Sequence, residues 1–155
     1  MNIDTIKPFA GRKAVKALVV VIFLWQVLAI VEEAGSDFAN DILFYLAAET
    51  NPYVVGFFIL LLVSTYLLGR RAGVEMLLAT SGYMRTGVKY ALITTVIALA
   101  YLLVVGVRLV GWHATWEALS WKCLVIFFSM LIVWLLASRR VYQEIKLQGQ
   151  DPSVS

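Results

Sequence analysis

The sequence predicts an all-α membrane protein: four transmembrane helices in an up-down bundle, with a short amphipathic helix in the first outer loop. Three observations carry this prediction. The 155 residues are 61% hydrophobic and only 15% charged, whereas soluble domains run nearer a quarter charged. Four apolar runs are each long enough, with their flanks, to cross a hydrocarbon core that needs roughly 20 helical residues. Finally, eleven of the thirteen Lys and Arg residues fall on one side if four spans alternate across the membrane.

A short polar arm, residues 1–14, comes first. Pro8 and Gly11 are expected to break any long helix there. Arg12, Lys13 and Lys16 precede the first apolar run, and the first span is placed at about 15–33. A basic-then-apolar order also marks a secretory signal peptide. Here Glu32 and Glu33 follow at once, without a small-residue cleavage site, so the run reads as a retained signal-anchor helix. Gln26 lies within it and is expected to face another helix, because lipid solvates an amide poorly.

Residues 32–52 form the first connection and carry five acids. Phe38, Ile42, Leu43, Leu46 and Ala47 recur at spacings of three and four, the period of a helix lying on a membrane surface. Ser36 or Asp37 is its expected cap, and Asn51-Pro52 opens the second span, about 53–69. Ser64 and Thr65 are the polar side chains of that span and are expected to bond back to their own helix. The second connection, 72–88, should bury Val74, Leu77 and Leu78, leave Glu75 outside, and break at Ser81-Gly82.

The third span, about 89–111, contains Thr94 and Thr95 and one charge, Arg108. Gly111 to Trp121 is read as the last connection. The fourth span, about 121–138, contains Ser129 and Trp134 and ends at Arg139 and Arg140. The tail 139–155 extends the helix to about Leu147 and then frays. The lone Cys123 excludes an internal disulfide and reads as a small buried hydrophobe.

Short basic loops stay cytoplasmic, so both termini are expected inside. The outer side then holds two bases against six acids. A bacterial inner membrane is the expected location.

Candidate sites are sparse. A charge within a span is a functional candidate by default, which singles out Arg108. It lies one turn before Trp112, so its side chain can also snorkel to the headgroups. His113 and Glu117 share a helical face, and Glu32 and Glu33 fall at a similar depth. Together with Arg108 they are the candidate ligand or ion contacts. Two ligands and a single His are too few for a metal site. Trp112, Trp116 and Trp121 suit an interfacial belt. Gln26, Ser64, Thr65, Thr94, Thr95 and Ser129 are the intramembrane polar positions. Arg70, Arg71, Arg85, Lys89, Arg139 and Arg140 are the expected contacts for a cytosolic partner or lipid.

Neither phosphate-binding loops nor paired-Cys motifs are found. No GxxxG dimerisation motif and no internal repeat is read, and no span carries a central carboxylate. No cofactor, metal or direct nucleic-acid contact is expected. The primary reading is a small non-enzymatic membrane protein, an oligomeric or accessory subunit of a membrane complex with a role in sensing, scaffolding or pore formation. Two alternatives stand beside it. One is a permease subunit with a coupling segment at 72–88. The other is an outer-rim enzyme or headgroup site around Arg108, His113 and Glu117.

Overall fold

The computed structural model describes residues 2–33, 52–78 and 82–149, with the side chains of 26–33, of 110 and of a few positions near the start of the last helix excepted. Among these residues four helices form: α1 (Ile3–Glu33), α2 (Pro52–Leu77), α3 (Tyr83–Val110) and α4 (Trp112–Gly149). Three stretches are long and apolar enough to cross a membrane: Pro52–Leu77, Tyr83–Leu109 and Cys123–Gln148. The described part of α1 is not among them. Arg12, Lys13 and Lys16 crowd the stretch before its apolar run. The expected amphipathic helix of the first outer loop lies outside the described residues.

Neighbouring helices run antiparallel. Ile6 and Ala10 of α1 meet Gly73 of α2, while Gly11 and Ala14 meet Gly69. Farther along, α2 meets α3 where Phe57 and Tyr101 pack at 5.7 Å between ring centroids. The Tyr101 hydroxyl also donates to the Tyr53 carbonyl at 2.7 Å. Tyr83 packs on Tyr142 and Tyr90 on Trp134, which sets α3 against α4. The ring closes where the Trp25 indole of α1 donates to Ser129 Oγ of α4 at 3.0 Å.

The residues turned inward combine large apolar side chains, among them Ile6, Leu18, Tyr90, Val133 and Trp134, with small and hydroxylated ones. Ala10, Ala14, Ala72, Ala91, Ala98 and Ala137 are buried, as are Thr65, Thr86, Thr94, Thr95 and Ser138. The residues turned outward are large and apolar: Val55, Ile59, Val63 and Leu67 on α2, and Leu124, Phe128, Ile132 and Leu136 on α4. These two outward sets each repeat every four residues, one stripe along a helix. A bundle solvated by water would turn polar side chains outward instead. Lipid gives no hydrophobic drive between helices, so association rests on close backbone approach across small residues and on interhelical hydrogen bonds. This inversion is the structural signature of a membrane protein.

The helices are longer than the sequence reading placed them. Pro8 and Gly11 do not break α1, which is continuous over 31 residues. Pro8 forfeits its bond to the Asp4 carbonyl, a cost of about 3 kcal/mol. Burial of Ile6, Ala10, Ala14 and Leu18 on one face offsets it. Gly11 is needed because the Tyr66 ring would lie 2.7 Å from any Cβ placed there.

The second connection is shorter than 72–88, since α2 continues through Leu77. Val74 and Leu77 pack against the core, but Leu78 is exposed. The last connection collapses from eleven residues to Gly111 alone. Gly111 has φ +86°, a left-handed conformation that glycine alone adopts freely, so the chain reverses in one step. Its carbonyl accepts the Thr115 hydroxyl at 2.6 Å, which caps the turn. The tail helix runs to Gly149.

Gly69 and Gly73 are a GxxxG pair after all. They lie just past the apolar run of α2, flanking Arg70 and Arg71. A Cβ at Gly73 would sit 2.5 Å from Ala10 Cβ, so only glycine allows this crossing.

Candidate functional site

Three of the six predicted polar positions are consumed within the bundle. Ser64 donates to the Leu61 carbonyl at 3.1 Å. Thr94 donates to the Tyr90 carbonyl at 2.8 Å and accepts the Trp134 indole N–H at 2.9 Å. Ser129 donates to the Val125 carbonyl at 2.7 Å while accepting from Trp25. The two cross-helix bonds therefore share one design: a hydroxyl turned onto its own helix leaves its lone pair for a tryptophan on the next. Thr65 and Thr95 depart from it. Both are buried, and neither Oγ1 has a hydrogen-bond partner among the described residues, as is also true of Ser138. The expected back-bond of Thr65 is therefore not made. The side chain of Gln26 lies outside the described residues.

At the end bearing the α3–α4 turn, Arg108 and His113 are both exposed. Trp112 and Trp116 stack at 6.2 Å, one turn apart, with their rings facing outward. The side chains of Glu32, Glu33 and Glu117, and with them the expected cluster around Arg108, lie outside the described residues. Cys123 is half-buried, less enclosed than its reading as a core hydrophobe required.

The opposite end gathers the basic residues. Arg70, Arg71, Arg85, Arg139 and Arg140 are exposed there. Lys89 is engaged within the molecule: its Nζ lies 2.7 Å from Glu75 Oε1, and the Tyr90 hydroxyl donates to the same oxygen at 2.9 Å. Glu75 is thus a partly buried tie between α2 and α3, and not the outward-facing residue expected. Its apolar neighbours in sequence hid this role. Fourteen residues separate it from Lys89, and nothing in the spacing points across the gap.

Nothing in the local sequence around Trp25 and Trp134 announces a polar task for either. An indole N–H in a lipid-facing helix nevertheless needs an acceptor, and that requirement points to Ser or Thr on a neighbouring helix. No protein-family model, curated protein or solved structure matches the chain.

Proposed function

We propose that the chain is a four-span membrane protein acting as a non-enzymatic accessory or oligomeric subunit of a membrane complex. In this reading α1 crosses the bilayer along its apolar part, about 15–33, and joins the three apolar helices. Both termini lie in the cytosol, and the membrane is a bacterial inner membrane. The basic end with Arg70, Arg71, Arg85, Arg139 and Arg140 faces inward, as positive residues in short loops do.

One observation carries the subunit reading: among the described residues the space between the four helices is closed by packed side chains, which leaves a substrate no enclosed chamber there. The void enclosed between Ala14, Gly69 and Trp134 is about 10 Å³, the room of a single water. The hydroxyls of Ser64, Thr94 and Ser129 bond to their own backbone, which weighs against a carrier. A closed bundle of this kind contributes surface, and the basic end is suited to a cytosolic protein partner.

The test is the mass of the assembly in lipid nanodiscs, measured alone and after co-expression with neighbouring membrane proteins. A closed homo-oligomer, or stable capture within a larger complex, is expected. A monomer that by itself moves a solute or converts a lipid overturns the reading. Labelling of single cysteines at positions 2 and 149 from each side of the membrane tests the four-span arrangement separately. Opposite-side labelling would remove one crossing.

A further inference from the structure

The α2–α3 seam is the loosest between neighbouring helices, and a crevice of about 710 Å³ opens along it at the basic end. Its walls change character with depth. Toward the basic end it is lined by Arg70, Arg71, Val74 and Glu75 of α2, with Lys7 of α1. Leu67, Leu68 and Ile97 line the part farther in. Ser64 marks the inner limit on α2, six residues from Arg70 and so about 9 Å deeper along the axis.

We propose that this crevice binds one anionic glycerophospholipid. Arg70 and Arg71 hold its phosphodiester and Lys7 supports them. One acyl chain runs inward along Leu67, Leu68 and Ile97.

The charges at the mouth favour an anion. Glu75 also lines the crevice, but its Oε1 is held by Lys89 and Tyr90 from α3. That carboxylate is therefore neutralised by a lysine outside the crevice. Lys7 has only a long contact of 3.9 Å to the exposed Asp4, a pairing too weak to hold it from another anion. The two arginines face the mouth as exposed guanidiniums, whose planar forks match phosphate oxygens. The apolar floor argues for a lipid over a free phosphate, because a soluble anion would leave that wall in contact with water. A protein segment would need no such gradient from charge to hydrocarbon. The proposal rests on the reading above that this end lies at headgroup level.

The experiment uses the full chain purified in a neutral detergent. Native mass spectrometry counts retained lipids while phosphatidylglycerol or phosphatidylcholine of equal chain length is titrated. One saturable phosphatidylglycerol site is expected. The pair Arg70→Gln and Arg71→Gln should weaken it by about tenfold or more, the worth of one or two charge-assisted bonds. Arg70→Lys with Arg71→Lys preserves the net charge and the topology signal, and should weaken binding by a smaller factor. Arg139→Gln with Arg140→Gln removes equal charge from another helix and should leave the site intact.

Equal loss in the Arg139 and Arg140 pair would reduce the effect to general attraction and overturn the proposal. Displacement of the lipid by glycerol phosphate or inorganic phosphate at matching concentration would overturn it too, in favour of a phosphate-only site. Binding in detergent does not depend on orientation in a membrane. A wrong topology would show in the cysteine labelling while this site persisted.

Discussion

The Trp134 indole N–H donates to Thr94 Oγ1 at 2.9 Å, joining α4 to α3 at a point where both side chains are buried. The two substitutions that break this bond are not equivalent. Thr94→Val leaves a buried indole N–H without an acceptor and should cost about 1–3 kcal/mol. In a Thr94→Val, Trp134→Phe double-mutant cycle the coupling should be near 0.6 kcal/mol, the mean for hydrogen bonds between membrane helices. Dodecyl sulfate titration in mixed micelles, followed by circular dichroism, measures both.

The crossing of α1 and α2 depends on the absence of a side chain at Gly73. Gly73→Ala brings a methyl to 2.5 Å from Ala10 Cβ, and neither atom can rotate away. A loss of about 1–3 kcal/mol is expected, with more for Gly73→Val. Gly82→Ser is the control. Gly82 caps α3 in an extended conformation with open space around it, and serine is at least as good a cap. That variant should match or slightly exceed the parent in the same titration.

Gly111→Ala tests the one-residue turn. At φ +86° an alanine should cost about 1–3 kcal/mol in strain alone. The loss should appear in the titration together with faster proteolysis between Val110 and Trp112.

The tie between Glu75 and Lys89 should prove modest. Their side chains are 31% and 51% exposed, so Lys89→Met should cost less than about 1 kcal/mol. Added salt should shrink the difference between variant and parent, since exposed pairs are screened. An undiminished difference at high salt would mean that packing, and not charge, holds the two helices there.

Arg108 is exposed beside the α3–α4 turn, and the structure gives it no described partner to satisfy. Arg108→Gln should change stability by no more than about 0.5 kcal/mol. A larger loss would identify a clamp with an acidic partner on the first connection.

Much of the helical content was legible because apolar runs of this length have few other outcomes. The second, third and fourth runs became helices where composition placed them. Their ends were harder to read. Pro8 and Gly11 look like breakers in a sequence read one helix at a time, yet the opposing Tyr66 and Gly73 make a continuous helix the better-packed solution. Gly111 was readable as a turn residue. Its sufficiency as the entire turn depends on φ and on the Thr115 cap, which no local pattern announces. The polar positions Ser64, Thr94 and Ser129 were found from polarity alone. Ser129 and Thr94 find their partners Trp25 and Trp134 on helices 104 and 40 residues away, and such pairings exist only once the bundle has formed.

The hairpin of α3 and α4 behaves like a pair of dividers. One residue joins the legs at Gly111, so neither can slide past the other by a turn without tearing the corner. The remaining freedom is to spread the points. A given angle displaces the far tips most, around Tyr83 and Tyr142, where the two aromatic rings rest 5.6 Å apart. Any rearrangement of this molecule should therefore be read at those tips, and a probe placed near Gly111 would register almost none of it.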